Sequence, residues 1–313
     1  MHSRFRRFGA LLALLIFGCS NDNSTAPGSP TPTGCADYAT TMKALIGYTP
    51  PWTHWLSSAF DLALMQDYAV VADGQYGLEI LSVANPSQPV HIGHVDLGDW
   101  ADDVAVSGNY AYVANSTQGL AVVDVSNPYS PTVVGTAHFP GAAYRVAVSG
   151  PRAFVAAGDG GLKAIDISNP ASPTVTGSTT GSEQNMVDVA LAGDYAVVAN
   201  SYYGVAMVDI SGPTPGVVAT LSVPSFVNRV AADGNYAYVA AGAETHVIDI
   251  TDPLHPALVA GVAARRGARY VTVHDGRLYV SDIAAGVQVV DVSTPADPHE
   301  LGYLDVPPLP DTR

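Results

Sequence analysis

The residues with the greatest chemical potential in this sequence are acids, bases and aromatics that recur at one position of a repeat. Carboxylates there could act as an acid and base pair, guanidinium groups could bind an anion, and aromatic rings could stack on a sugar or a peptide. The position is occupied in turn by Asp61, Asp103, Arg145, Asp188, Arg229 and Tyr270. Together with Trp100 and Arg269 in adjoining segments, they are the candidate ligand-binding residues.

A second set of carboxylates recurs at another position of the repeat. Each is closely followed by Ser or Thr and a proline or proline-containing turn, where a carboxylate can accept main-chain N–H bonds. The set comprises Asp124, Asp166, Asp209, Asp249 and Asp291. Because these residues belong to different copies of the repeat, they cannot converge on one metal ion. We therefore predict that they stabilise turns.

The sequence contains no recognised catalytic motif. It has no G-x-S-x-G elbow, no H-E-x-x-H pair, no glycine-rich phosphate loop and no EF-hand pattern. A single histidine, His54, lies beside Trp52 and Trp55, and we interpret it as a packing or surface residue rather than a general base. The sequence therefore predicts no catalytic residue, no metal and no cofactor, and it favours a protein that is not an enzyme.

The candidate residues are positioned by a repeat that covers most of the chain. Similar segments begin at residues 66, 108, 150, 193, 234 and 275, at intervals of 41 to 43 residues. Each copy contains four short runs rich in Val, Ala and Tyr, separated by Gly, Asn or Pro, and such runs indicate β-strands. Several runs are apolar on both faces, so both faces of each small sheet must be covered.

Four-stranded sheets stacked face to face around an axis satisfy this requirement and leave only short edges. The sequence therefore predicts an all-β fold, a six-bladed β-propeller of four-stranded antiparallel blades, over residues 59–313. We label the four strands of each copy A to D and expect strand A to be innermost. The D-to-A and B-to-C connections then share one face, which we call the top face, and the other connections form the bottom face.

The top face is where the sequence varies most. All three tryptophans lie in segments that lead into an A strand, and half of the basic residues that follow the export signal reach the same face. Further aromatic residues expected there are Tyr76, Tyr144, Tyr202, Tyr203 and Phe226. The pattern is consistent with a binding surface. Alternatively, the acids and arginines pair between neighbouring blades while the aromatics fill the axis.

At the level of motifs, the chain resembles the LVIVD-repeat proteins of bacterial and archaeal cell surfaces. The segments that carry the resemblance are LAVVDVSNP, LKAIDISNP, VAMVDISGP and VQVVDVSTP. The resemblance implies one propeller blade for each repeat and a location at the cell surface. It implies little about activity.

The N-terminal region has the layout of an export signal. Residues 1–18 contain three arginines and then an apolar stretch, and Ile16-Phe17-Gly18-Cys19 resembles a lipobox in which Cys19 becomes lipidated. Cleavage by the ordinary signal peptidase is the alternative. Residues 19–34 then form the lipidated cysteine and a flexible Ser/Thr/Pro linker.

Residues 35–58 are predicted to pack on the propeller, and residues 44–49 resemble the last strand and could pair with blade 6. Cys35 is left as a free thiol if Cys19 is acylated, whereas a disulfide between the two is the alternative in an oxidising compartment.

Composition limits the range of partners. The chain has 13 basic and 28 acidic residues and a formal charge of −15, which becomes −18 once residues 1–18 and their three arginines are removed. A nucleic-acid partner is excluded because phosphate binding requires a basic surface. We expect a monomeric lipoprotein of the cell envelope, at the outer membrane or cell surface, which touches the membrane only through its lipid anchor.

Three functions are compatible with these features. The first is a module that binds an unknown protein or glycan through its top face without catalysis. The second is a secreted hydrolase or lyase that uses Asp61, Asp103, Asp188 and Arg145 in a central funnel. The third is a purely structural component of the envelope.

Overall fold

The computed structural model describes residues 59–181, 184–282 and 286–305, which form 24 β-strands. The first three blades contain β1 (Asp61–Met65), β2 (Tyr68–Ala72), β3 (Leu78–Ser82), β4 (Val90–Val95), β5 (Asp103–Ser107), β6 (Tyr110–Ala114), β7 (Leu120–Asp124), β8 (Thr132–Ala137), β9 (Arg145–Ser149), β10 (Arg152–Ala156), β11 (Leu162–Asp166) and β12 (Thr174–Ser178). The predictions for residues 1–58, which include the signal peptide, Cys19, Cys35, the packing of 35–58 and the pairing of 44–49, lie outside the described residues.

The last three blades follow the same pattern. They contain β13 (Asp188–Ala192), β14 (Tyr195–Ala199), β15 (Val205–Asp209), β16 (Gly216–Leu221), β17 (Val227–Asp233), β18 (Tyr236–Ala241), β19 (Glu244–Asp249), β20 (Ala257–Ala263), β21 (Ala268–His274), β22 (Arg277–Asp282), β23 (Gly286–Asp291) and β24 (His299–Asp305). Within the described ranges, the only helical element is a short 3-10 helix, Ser201–Tyr203. No helix in that part of the chain is long and apolar enough to cross a membrane.

Each group of four consecutive strands forms one antiparallel sheet in sequence order, which confirms the predicted six-bladed propeller. The first strand of each sheet packs beside the first strand of the next, so the predicted inner position of strand A is also confirmed. Strand polarity therefore places the D-to-A and B-to-C connections together, as expected for the top face.

The hydrophobic core consists of layers between neighbouring blades. The second and third strands of each blade are apolar on both faces because both faces are covered by other blades. In the layer between blades 1 and 2, Val70 and Ile80 pack against Val113 and Val123, and all four side chains are fully buried. Burial of each such side chain contributes about 1.5–3 kcal/mol.

The repeated carboxylates at the bottom face stabilise turns, as predicted. The Oδ1 atom of Asp124 accepts the N–H of Ser126 at 2.9 Å, and the other four copies make the corresponding bond to a Ser or Thr two residues later. These hydrogen bonds lower the pKa of each carboxyl. The recurring aspartate is therefore part of the turn that precedes the outer strand in blades 2 to 6.

Glycine in the outer strand allows neighbouring blades to pack closely. A Cβ atom on Gly135 would overlap the carbonyl oxygen of Pro170 in the next blade, and one on Gly93 would overlap that of Pro128. Gly302 occupies the same register position in blade 6, where a Cβ would meet no atom within 4 Å. Among the described residues, none covers Gly302 in the way that the next blade covers Gly93 and Gly135.

The junction between blades 6 and 1 also differs at the axis. Inner strands lie side by side from β1 to β5 and onward through β9, β13, β17 and β21. As far as the two strands are described, β21 approaches β1 less closely than the members of these five pairs approach each other. Among the described strands, the inner-strand contacts therefore run in sequence order from blade 1 through to blade 6.

Substitution of the outer-strand glycines tests this packing. We expect Gly135→Ala to destabilise the protein by about 1–3 kcal/mol, because the added methyl group overlaps the main chain of the next blade. Gly302→Ala is the matched control and should be neutral or slightly stabilising, since its Cβ enters open space. Urea unfolding midpoints measure both effects, and equal midpoints for the two variants would contradict the proposed packing.

Candidate functional site

The six repeated candidate residues lie at the top ends of the inner strands, around the propeller axis. Asp61, Asp103, Arg145 and Asp188 are the first residues of β1, β5, β9 and β13, whereas the sequence pattern places them just before the strand. Arg229 and Tyr270 reach the corresponding register position because each follows a bulge near the start of β17 or β21. We call these six residues the axial cluster.

Two carboxylates of the axial cluster bind the main chain of the following blade. The Oδ2 atom of Asp103 accepts the N–H of Val146 at 2.6 Å, which joins blade 2 to blade 3. In the same way, the Oδ2 atom of Asp188 accepts the N–H of Val230 at 2.8 Å, which joins blade 4 to blade 5. Each bond satisfies a buried main-chain amide that takes no part in the strand pairing of its own blade.

Arg145 links three blades. Its Nε atom lies 3.7 Å from Asp103 Oδ1 in blade 2 and 3.9 Å from Asp188 Oδ1 in blade 4. Its Nη1 atom donates to the carbonyl oxygens of Asp102 at 2.6 Å and Tyr144 at 2.8 Å. All three charged side chains are at least nine-tenths buried, so the guanidinium group balances two carboxylates that would otherwise repel each other at the axis.

Burial also changes the protonation of two acids. Desolvation raises the pKa of Asp61 well above its usual range, and repulsion by Asp103 and a hydrogen bond to that carboxylate raise it further. The Asp61 carboxyl therefore keeps its proton to a higher pH than an exposed aspartate does, and in that form it can donate to Asp103. Desolvation raises the pKa of Asp188 to about 7, although Arg145 and the amide of Val230 lower it.

The remaining members of the axial cluster form a cation–π pair between blades 5 and 6. The guanidinium carbon of Arg229 lies 4.5 Å from the ring centre of Tyr270, and Arg229 Nη1 donates to Asn228 O at 2.9 Å. Asp103, Asp188, Arg145 and Arg229 are therefore all engaged in contacts within the fold. Within the described residues, these acids and arginines make the contacts between blades that the alternative interpretation of the sequence describes.

Trp100 and Arg269 lie beside the axial cluster without joining its contacts. Trp100 is partly buried and packs edge-on against the ring of Phe60, with ring centres 5.9 Å apart and an interplanar angle of 73°. Arg269 is partly buried at the bulge of β21, and no hydrogen bond or ion pair joins it to another described residue. Ligand contact by either side chain stays a prediction.

The structure reveals a different concave feature on the top face, between blades 3 and 4. It is a groove of about 560 Å³ that we call the tyrosine groove. It is lined by Tyr144, Gly158, Asp159, Gln184, Asn185, Tyr202 and Tyr203. The three tyrosines were expected on this face from the sequence, whereas Asp159 and the two amides carry no repeat signal that would have singled them out.

Hydrogen bonds fix the walls of the tyrosine groove. The N–H of Asn185 donates to Asn200 Oδ1 at 2.8 Å, and Asn200 is almost fully buried. The hydroxyl of Thr179 accepts the N–H of Leu162 at 3.0 Å and donates to Gln184 Oε1 at 2.9 Å. Both loops are thus bonded to buried groups, and the groove is largely preformed.

The tyrosine rings are exposed but supported. Tyr202 is 79% exposed, and its ring packs edge-on against Phe226 with centres 4.7 Å apart. Tyr144 lies over Gly158, where a Cβ would come within 3.0 Å of the ring and where φ is +58°. Glycine at this position therefore allows the Tyr144 ring to approach the main chain closely.

These strands define the class of protein as a six-bladed β-propeller whose inner strands are linked by polar contacts and whose top face carries an aromatic groove. The chain belongs to the LVIVD-repeat family, which confirms the resemblance seen in the sequence. The family's repeat matches residues 57–97, 98–138, 140–180, 185–218, 226–263 and 265–306. No functionally curated protein matches the chain.

Solved structures support the fold. A protein from Lactobacillus plantarum is 14% identical with a TM-score of 0.72, and the match covers 80% of this chain and 86% of that one. A functionally unknown protein from Desulfotomaculum acetoxidans is 14% identical with a TM-score of 0.67, over 79% and 85% of the two chains. The β-propeller domain of Cps50 (Swd1) from Myceliophteria thermophila is 11% identical with a TM-score of 0.62, over 80% and 87%. At these identities the similarity shows the fold alone.

The titration of Asp188 predicts how stability depends on pH. Because its folded pKa of about 7 is raised, its contribution to stability is complete below its unfolded pKa of about 3.9 and is lost as the pH rises through 7. We expect the wild type to lose more stability than Asp188→Asn between pH 5 and pH 8, by on the order of 2 kcal/mol. Urea unfolding at both pH values measures the difference.

Asp194→Asn is the control because Asp194 is an exposed acid in a bottom turn of the same blade. This variant should follow the wild type at both pH values. Parallel pH profiles for the wild type and Asp188→Asn would show that Asp188 does not titrate in this range.

Proposed function

We propose that this protein is a non-enzymatic binding module that contacts a protein or glycan ligand through the tyrosine groove. One observation carries the proposal: three exposed tyrosines border a groove whose walls are held by buried hydrogen bonds. Among the described residues, five tyrosines are exposed, and Tyr144, Tyr202 and Tyr203 all belong to this one groove. Exposed aromatic rings on a rigid support are typical of binding sites.

In this proposal the axial cluster has a positioning role. Arg145 donates to the carbonyl oxygen of Tyr144, so the charged contacts at the axis reach the first residue of the groove. The inter-blade bonds of Asp188 likewise fix blade 4, which supplies Tyr202 and Tyr203. Direct ligand contact by the axial cluster stays a prediction.

We further propose that the module is exported and lipidated at Cys19. The support is the sequence alone: an apolar export signal, the lipobox-like Ile16–Cys19 segment and the linker of residues 19–34. A flexible tether of this kind lets a propeller present its top face away from the membrane. The module would then act as a monomer at the cell envelope.

Substitution of the exposed rings tests the groove. We expect Tyr202→Ala combined with Tyr203→Ala to weaken binding at least tenfold for every ligand that the wild type binds on printed arrays of oligosaccharides and peptides. The physical reason is the loss of two stacking surfaces, each worth about 1 kcal/mol or more. Affinities are measured by titration of each array hit in solution.

Tyr129→Ala serves as the matched control, since Tyr129 is 66% exposed in a bottom turn far from the groove. It should bind as the wild type does. Unchanged binding by a folded double variant would contradict the proposed role of the groove.

A further inference from the structure

Within the described part of the chain, the polar groups of the tyrosine groove are only partly paired. Gln184 Oε1 accepts a hydrogen bond from Thr179, which leaves its Nε2 group to donate. Asn185 donates through its N–H to Asn200 and through Nδ2 to Ser201 at 3.4 Å, which leaves its Oδ1 to accept. The groove thus offers a fixed donor and a fixed acceptor beside its aromatic rings.

The charge of the groove is the second constraint on the ligand. Asp159 is its one charged lining residue, and none of the lining residues that the structure describes is basic. The nearby Lys163 is buried, and its Nζ lies 6.0 Å from the ring centre of Phe139 in the layer between blades 2 and 3. Lys163 interacts electrostatically with Asp159 but is buried and does not line the groove, so an anionic ligand would meet the carboxylate rather than the cation.

Asp159 also distinguishes between two kinds of neutral ligand, a proline-rich peptide and a saccharide. A proline-rich peptide can stack on tyrosine rings, but its main chain offers chiefly carbonyl acceptors, because proline lacks an N–H. Asp159 would then face the ligand without a donor. Sugar hydroxyls both donate and accept, and the apolar face of a sugar ring stacks on an aromatic ring, so a saccharide matches all three kinds of group in the groove.

We propose that the tyrosine groove binds an uncharged oligosaccharide, and this inference rests on the proposed function of the groove. Sugar rings stack on Tyr202 and Tyr203, while hydroxyls donate to Asp159 and Asn185 and accept from Gln184. The volume of about 560 Å³ lies within the range of small-ligand sites and suits a short segment of a glycan chain.

Calorimetric titration with four probes tests the inference. Two of them are a matched pair: β-1,4-mannohexaose is neutral, and hexamannuronate has the same backbone with a carboxylate on each unit. The other two are cellohexaose and a proline decapeptide. We expect at least one neutral hexasaccharide to bind, and hexamannuronate to bind at least tenfold more weakly than mannohexaose. Tyr202→Ala should weaken binding of the neutral sugar at least tenfold. Asp159→Asn should reduce the difference in affinity between mannohexaose and hexamannuronate.

Two variants serve as controls: Tyr129→Ala for the ring and Asp194→Asn for the acid, because both residues are exposed in bottom turns. Both should bind as the wild type does. Hexamannuronate binding as tightly as mannohexaose, or no binding of either neutral hexasaccharide, would overturn the inference. If only the decapeptide binds, and Tyr202→Ala abolishes that binding, the ligand is not a glycan, but the proposed function of the groove still stands. Binding of any probe that is unaffected by Tyr202→Ala would count against both.

Discussion

Buried carboxylates that accept main-chain N–H groups from the next inner strand hold this propeller together at its axis. Asp103 bonds to Val146 and Asp188 bonds to Val230, while Arg145 lies between the two acids and balances their charge. Burial of any one of these charged groups alone would cost free energy, so the groups are stable only as a set in which each charge has a partner. The inner ends of blades 2 to 5, where blades 3 and 4 carry the tyrosine groove, are held together by them.

The tyrosine groove is a consequence of that placement. It lies where blades 3 and 4 meet, so its width is set by the same junction that Arg145 spans through Asp188. The donation from Arg145 to Tyr144 O joins the axis to the wall of the groove. Buried Asn200 and Thr179 then fix the two loops that carry Asn185 and Gln184. The groove is thus built on hydrogen-bonded loops and on the short 3-10 helix Ser201–Tyr203, which carries Tyr202 and Tyr203.

The fold could be predicted because the sequence pattern of one blade is repeated along the chain. Strand runs, turn aspartates and glycines recur at intervals of 41 to 43 residues. The position of the axial cluster could be predicted for the same reason. The hydrogen-bond partners of Asp103 and Asp188 could not be predicted. In each bond the acceptor and the donor belong to different blades, and the amides of Val146 and Val230 have no sequence signature. The groove was only partly predictable, since Asp159, Gln184 and Asn185 occur in loops where the copies differ.

Hydrogen–deuterium exchange with and without β-1,4-mannohexaose tests most directly whether the axis is a closed support and the groove is the binding site. The amides of Val146 and Val230 should exchange slowly in the free protein, and their exchange should not change when the sugar is added. The sugar should slow exchange at residues 200–204 and at Asn185. Rapid exchange of Val146 and Val230 that slows when the sugar binds would instead show that the axis is open and is itself the binding site.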